Sequence, residues 1–560
     1  QGLRTTSLTD SQRVHVAEIN LAAGIASKSK ASFRSAQDYA SHGLAALGTS
    51  SLPWESQYDL TLNLCNLSAE SECCLGNFTR ALNMADKIVR NGRDILDKVP
   101  AYKVSLNALG GLGLISMALQ RSISVVRALG DTFPKKPTIS TCLRQVWRSR
   151  KLMKRFSDEK ILALPIMEDK RALAIVQIHQ SLQLFAIMSN QDWCFAHSVL
   201  TCLQNSFKHG CSYITPSVIA AYATLHVDLK DWTTVNRYSR LAMRLRESRG
   251  FRRGHCRTVL IALYMGLHHT QNIKSSVVPL RDAVLDGLAS GDIDEAFMTV
   301  GVYATTSFLS GTNLSDIVQD LKSLHDRFHE HKNDSVLMYK GTLTMALNLM
   351  SIKVNPTVLT SFVMEEESAF VDAKASSDRY QIAYLRFNKV IILFHFGESD
   401  KALEHVMSLI KTDAMCKTNS YYLFMRFYYG MVLFQQYRET GLGKYLLMAR
   451  RQSIRVVRKF QHNPNAKPLL LLLQAENAVA SCRAVQNVLQ LFHMAVAAAS
   501  SGGFLPIEAL ANERAAGALH FMGESPAVAT AYIDTAMQLY HSWGAYNKER
   551  YLEELWENLE

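Results

Sequence analysis

Proline is scarce in this chain, with 12 among 560 residues, and so are the features that would assign it a reaction or a membrane span. No run reaches the roughly 18 unbroken apolar residues that a spanning helix needs. The nearest, Val104 to Leu119, is interrupted by Ser105, Asn107, Ser116 and three glycines. The phosphate-cradling loop G-x-x-x-x-G-K-[ST] is absent, which argues against nucleotide hydrolysis by that mechanism. Alternating strand patterns closed by Asn-Gly or Asp-Gly turns are rare, and there is no low-complexity tract. The start, QGLRTTSLTD, shows neither an initiator methionine nor a signal-peptide pattern, and predicts an internal segment of a longer polypeptide. The ten cysteines follow no regular spacing and most lie among apolar helical residues, as reduced, buried thiols of a cytoplasmic protein do.

What the chain does contain is a joint, written several times. A glycine is followed by a polar residue and, five positions after the glycine, by an alanine: Gly76-Asn77 with Ala81, Gly291-Asp292 with Ala296, Gly397-Glu398 with Ala402. A variant places Ala527 and Ala529 after Gly523-Glu524. Glycine accepts the left-handed backbone that ends a helix, the polar residue is placed to cap or charge the next one, and alanine permits close approach. Reuse of such a joint predicts stacked helical hairpins, an architecture in which each unit packs only on its neighbours.

Helical periodicity supports this reading. Ala81, Leu82, Ala85, Ile88 and Val89 fall on one face, as do Ala402, Leu403, Val406, Leu409 and Ile410, while Lys87 and Glu404 point elsewhere. The predicted fold class is therefore all-α, a TPR-like α-solenoid of antiparallel hairpins. Length alone suggests three or four domains of about 150 residues. A repeat array escapes that count, so residues 1–560 are read as one continuous array with sub-boundaries near 131–139, 270–278 and 462–467. The prolines punctuate it as loops or first turns, among them Pro134 and Pro137, Pro165, Pro216, Pro279, Pro356, Pro464, Pro468 and Pro506. A mean hydropathy of -0.02, with 48% hydrophobic and 20% charged residues, suits a large buried core.

The charge balance is basic: 61 lysines and arginines against 49 acids give +12. The excess concentrates in Arg144 to Arg155, Arg237 to Arg257 and Arg450 to Lys459. In the middle stretch Leu241, Met243 and Leu245 interrupt the arginines, as on a helix with one solvated and one packed face. Two readings stand, a solvated face of the array or a docking surface for phosphate or acidic protein.

Other candidates have structural readings. Gly110-Gly111-Leu112-Gly113 lies within an apolar helical pattern and reads as a close helix crossing. His325 and His329 share a helix face, with His331 beside them, but H-E-x-x-H spacing is missing and a solvated surface is expected; His268-His269 is weaker still as a ligand pair. Glu365-Glu366-Glu367 reads as an acidic helix start. Tyr421, Tyr422, Phe424, Phe427, Tyr428 and Tyr429 have the spacing of a core helix rather than of a base-stacking platform. No catalytic, cofactor or metal residue is assigned.

The most specific part of the chain is its end: Gly503-Phe504, Glu508-Ala509-Leu510-Ala511-Asn512-Glu513, Ala529, Tyr532, Ala536, Tyr540 and Trp543-Gly544-Ala545 with Lys548 and Leu552. This resembles the TPR-like helical region of large multidomain signalling proteins. Those proteins join a serine/threonine kinase-like domain, a predicted P-loop ATPase module, the helical array, often a GAF domain, and a histidine kinase or other output domain. Trp54, Tyr58, Leu60, Leu64, Ala69-Glu70, Leu75-Gly76, Leu129-Gly130 and Phe133-Pro134 are similar to the opening of the same array, and Gly291-Asp292 with Ala296 to its middle. The resemblance implies a sensor or scaffold between an upstream ATPase switch and a downstream output domain, acting on proteins or on neighbouring domains of the same polypeptide. It carries no catalytic residue into this chain. It implies that Tyr540 and Trp543 close the last hairpin and that Gly544 lets the chain leave it. A standalone TPR-like scaffold and a basic helical nucleic-acid or phospholipid binder remain the alternatives, and no motif favours a helical enzyme.

Overall fold

At Gly76 the backbone turns left-handed, with φ of 75°, and the same value recurs at Gly397 and Gly523. Each time the amide after the glycine reaches back five residues to a carbonyl of the finished helix: Asn77 to Glu72, Glu398 to Leu393 and Glu524 to Leu519, at 2.9, 2.9 and 3.0 Å. This bond satisfies a terminal helix carbonyl and folds the chain back on itself. Gly291 lies outside the described residues, yet Asp292 donates to Gly287 in the same way at 2.9 Å. The alanines of these joints, Ala81, Ala296, Ala402 and Ala529, are buried. A Cβ on Gly287 would stand 3.0 Å from that of Ala296, so small residues set the approach of the two helices.

At two of the joints the polar residue after the glycine does not cap the next helix through its side chain, one of the two roles expected of it. Asn77 and Asp292 hold ψ of 57° and 52°, outside the extended region from which a cap folds back onto the helix amides. Asn77 donates instead to Glu72 at 2.6 Å, and Asp292 accepts from the Gly254 amide at 2.7 Å.

The computed structural model describes residues 8–30, 32–48, 54–134, 138–251, 253–290, 292–329, 337–375, 379–412, 418–524 and 526–558. Arg252, His331, Cys416 and 135–137, with Pro137, therefore lie outside the described residues, as does the side chain of His329. Among the described residues the chain is all-α; the strand-like pairings are two isolated bridges, Ile166 with Cys211 and Ser361 with Met364. No helix there is long and apolar enough to cross a membrane.

Most helices pack on a chain neighbour, from Asp10–Ser29 against Phe33–Leu47 to Pro526–Trp543 against Tyr546–Glu557, while Ile139–Met153 packs on Asp192–His209 and Ile115–Ala128 also on Lys170–Met188. The two expected apolar faces are buried at Ala81, Ala85 and Ile88 and at Ala402, Val406 and Leu409, with Lys87 and Glu404 exposed. The core differs along the chain. Before Phe133 most buried apolar residues fall into separate clusters, such as Ala17, Ala46 and Leu64, and one of these runs on through Phe133 to Cys194; one large cluster takes in Phe33 and most of the core from Met153 to Leu552, with Ala516, Leu519, Ala529 and Ile533 apart from it.

That larger cluster exists because the middle of the chain is laid against its last third. The Tyr264 and Tyr384 hydroxyls meet at 2.6 Å. Asn465 donates to the carbonyls of His268 and Gln271 at 2.8 and 2.9 Å and accepts from the Ile273 amide at 2.9 Å. Two loops that the sequence marks as breaks, 270–278 and 462–467, thus meet each other. Asn272 bonds Gly502 at 2.7 Å and Asn547 bonds Asn348 at 2.9 Å.

Trp543 belongs to this set. Its ring packs on Phe308 at 5.2 Å and its indole N–H donates to the Thr312 carbonyl at 3.0 Å, so it reaches the middle of the chain as well as its own hairpin. Gly544, at φ 91°, turns the chain into the helix Tyr546–Glu557, which packs on Leu337–Met350. Trp543→Ala is expected to cost about 3–5 kcal/mol, because the indole is 1% exposed and leaves a large cavity. Urea unfolding of the variant against the parent chain checks this, and an unchanged midpoint would refute it.

Candidate functional site: the C-terminal junction and the basic surface

The helices Leu505–Phe521, Pro526–Trp543 and Tyr546–Glu557 are fixed by the joints at Gly503, Gly523 and Gly544. They bring Glu513, Tyr540 and Lys548, all carried by the family resemblance, into one buried cluster. Lys548 Nζ donates to Glu513 Oε1 at 2.8 Å and to the His395 carbonyl at 2.5 Å, and the Tyr540 hydroxyl donates to Glu513 Oε2 at 2.7 Å. Burial by itself raises the pKa of the Glu513 carboxyl, but the Lys548 charge and the hydrogen bonds from Lys548 and Tyr540 outweigh it and hold the group below its usual range. Beside this cluster Glu476, with no exposed surface, takes Arg438 at 2.6 Å and Arg514 at 2.7 Å. Burial again opposes its ionisation, and the two guanidiniums overcome that. The sequence marks these positions as packing residues; the structure adds that several carry charge.

The Glu513 arrangement joins the three terminal helices to one another and to His395. Each Glu513 oxygen accepts one hydrogen bond, and removing the Lys548 partner leaves an uncompensated buried charge.

The other candidates fall as follows. Phe185 and Phe78 ring atoms would stand 3.0 and 2.2 Å from a Cβ on Gly110 and Gly111, so these glycines make room for aromatic rings at a helix crossing. His325 meets the Tyr339 hydroxyl at 3.0 Å. His268 and His269 are buried rather than ligating, with His269 donating to the Thr418 carbonyl at 3.2 Å and lying near Trp232, which stacks on His462 at 4.1 Å. Glu365 caps the helix Glu366–Ala375 by accepting from the Glu367 and Ser368 amides, which lowers its pKa, while Glu366 pairs with Lys389 at 2.9 Å. The aromatic run from Tyr421 to Tyr429 is wholly buried. Of the described cysteines, Cys73 and Cys74 are partly exposed and Cys482 is exposed, against the expectation of burial.

One cluster has no signal in the sequence. His179 stands between Asp131, at 2.5 Å from Nε2, and Ser198, at 2.9 Å from Nδ1, the residue types of a hydrolytic triad. The Ser198 hydroxyl, however, donates to the His179 carbonyl at 3.3 Å, and both residues are fully buried. With no exposed surface on His179 or Ser198, the cluster links the turn after Gly130 to the helices Lys170–Met188 and Asp192–His209. Spacings of 48 and 19 residues hide it from any pattern search.

The three basic stretches differ in what their charges do. In the middle one several arginines are structural: Arg237 pairs with Asp158 at 2.7 Å, Arg249 reaches the Leu162 carbonyl at 2.6 Å and Arg257 pairs with Glu295 at 2.8 Å. In the third, Arg450 is bound by Asn477 and Ser481 at 2.7 and 2.9 Å. In the first, Arg144, Arg148, Arg150, Lys151, Lys154 and Arg155 are exposed and form no ion pair among the described residues.

Burial sets a pH dependence. It pushes His269 and His197 down to about 4 and His395 to about 3, so these imidazoles are neutral in the fold and protonate near 6.5 once unfolded. The unfolded chain then binds more protons below 6.5, and stability present above that value is lost as pH falls toward 4. For His269 alone the loss is about 3 kcal/mol. Thermal unfolding followed from pH 7.5 to 4.5 is expected to show a falling midpoint below about 6.5, and a flat profile would contradict the burial of these rings. No family model matches the chain and no curated protein matches it, so what it does must be read from its own residues.

Proposed function

We propose that residues 1–560 form a TPR-like α-solenoid, a non-enzymatic segment of a multidomain signal-transduction ATPase/kinase that mediates protein interaction or passes a conformational signal between domains. On this reading an ATPase module lies upstream, an output domain downstream, and the protein works in the cytoplasm. The observation that carries it is the convergence of Glu513, Tyr540 and Lys548, with Trp543 alongside, into a buried junction. Those residues tie three terminal helices to His395 and, through Trp543, to the Thr312 carbonyl. A change of packing in the last hairpin must then be felt in the middle of the chain, since a buried pair cannot be opened on one side alone without stranding a charge. The left-handed joints and the packing of most helices on a chain neighbour support the hairpin-stack architecture.

The unpaired cations from Arg144 to Arg155 favour a second reading, a basic helical-repeat binder of anionic surfaces. A standalone scaffold is the third. Reading the coding region on either side of residues 1–560 separates them: a P-loop upstream with a kinase or cyclase signature downstream supports the signalling reading, and immediate start and stop codons favour a scaffold. The chain itself, lacking the glycine-rich lysine loop, is expected to bind no Mg-ATP in titration calorimetry. Stoichiometric tight binding would overturn the non-enzymatic assignment.

A further inference from the structure

The helix Ile139–Met153 is peripheral, and it packs on the helix Asp192–His209. It turns Cys142, Ser149 and Met153 inward, and Gln204 fastens it by bonds to Gln145 and Ser149 at 2.7 and 3.1 Å. Its outward face is unlike any other charged segment of the chain. Ile139, Leu143 and Trp147 succeed one another at intervals of four residues and are 57%, 61% and 63% exposed. On a helix of 3.6 residues per turn they form one stripe, about 12 Å long.

Arg144, Arg148, Lys151 and Arg155 run beside that stripe, with Arg150 and Lys154 continuing it past Trp147. Lys151 lies over the Trp147 ring at 5.2 Å. From Ile139 to Ser157 there is no acidic residue. The acids that come next, Asp158 and Glu159, face Arg237 and Arg244. At the other border Trp193, 46% exposed, takes the Cys142 thiol on its carbonyl at 3.4 Å. Asp192, beside it, is exposed, and Arg150 acts on Asp231 electrostatically.

We infer that this face, Ile139 to Arg155, docks the protein peripherally on an anionic phospholipid surface. A soluble protein gains nothing by holding three large apolar side chains in water along one stripe. A polynucleotide would use the cations and leave the aliphatic stripe unexplained, since phosphate contacts need charge alone. A lipid interface uses both. Indole, leucine and isoleucine enter the boundary between headgroups and acyl chains, and the flanking arginines and lysines meet the lipid phosphates. Arg237, Arg249, Arg257 and Arg450 are committed to structural partners, whereas the cations from Arg144 to Arg155 are exposed, form no ion pair among the described residues and flank the apolar stripe. The inference is independent of the signalling reading, since it concerns only what this surface contacts.

Co-sedimentation of the whole chain with vesicles tests it. The chain is expected to partition onto phosphatidylcholine vesicles containing phosphatidylserine and not onto phosphatidylcholine alone, with binding weakened by salt. Each cation at such a surface contributes roughly fivefold, so Arg144→Glu with Arg148→Glu should reduce partitioning by more than about a hundredfold. Trp147→Ala should reduce it by about tenfold, without shifting the melting temperature, because the ring is largely exposed. Arg455→Glu with Arg458→Glu, exposed and matched in charge, is the control and should leave most of the binding. Failure to bind anionic vesicles, binding indifferent to Trp147→Ala, or equal loss in the control pair would each overturn the proposal. So would a preference for duplex DNA or RNA over the vesicles in competition.

Discussion

A helix that cannot leave its own neighbourhood is the constraint on which this molecule rests. At each joint one residue in the left-handed region lets a single amide reach back across the helix end, and the chain is returned onto the helix it has just completed. Apolar faces then find their partner in sequence, and little loop entropy is lost in bringing them together. Glycine makes this conformation inexpensive, but the joint also forms at Asn190, Lys230 and Cys482, with φ of 52°, 56° and 50°. There the helix-end bonds from Gln191, Asp231 and Arg483 hold a conformation that side chains resist.

Neighbour packing alone would give a chain of small cores, and that is what most buried apolar residues before Phe133 display. From Met153 onward polar residues change the outcome. Asn465, Asn272, Asn547 and Lys548 each spend side-chain donors on backbone carbonyls more than a hundred residues away. Their partners are loop and helix-end carbonyls, which burial would otherwise leave unsatisfied. These bonds are what permit two loops to be buried against each other, so the polar and apolar parts of the large core depend on one another.

Charge in this protein has two fates. Around Glu476 and Glu513 it is sealed inside, where each carboxylate is matched by cations and the cluster resists being opened from one side. Between Arg144 and Arg155 it is left in water beside an apolar stripe and forms no ion pair among the described residues. The arginines from Arg237 to Arg257 look the same in composition but several of them bridge segments, and a net charge of +12 does not distinguish the two groups.

By itself the sequence determined the all-α class, the positions of the glycine joints, the buried alanines and the inward faces of helices such as Phe78–Asn91, because each follows from spacing within a few turns. The aromatic run at Tyr421 was legible as core for the same reason. It could not say that Asp131, His179 and Ser198 meet, that loops 270–278 and 462–467 bury each other, or that Trp543 lies on Phe308. Nor could it say which arginines are bound and which are free. Those facts depend on pairings across many tens of residues, where periodicity carries no information, and tertiary packing alone decides which polar groups come within hydrogen-bonding reach.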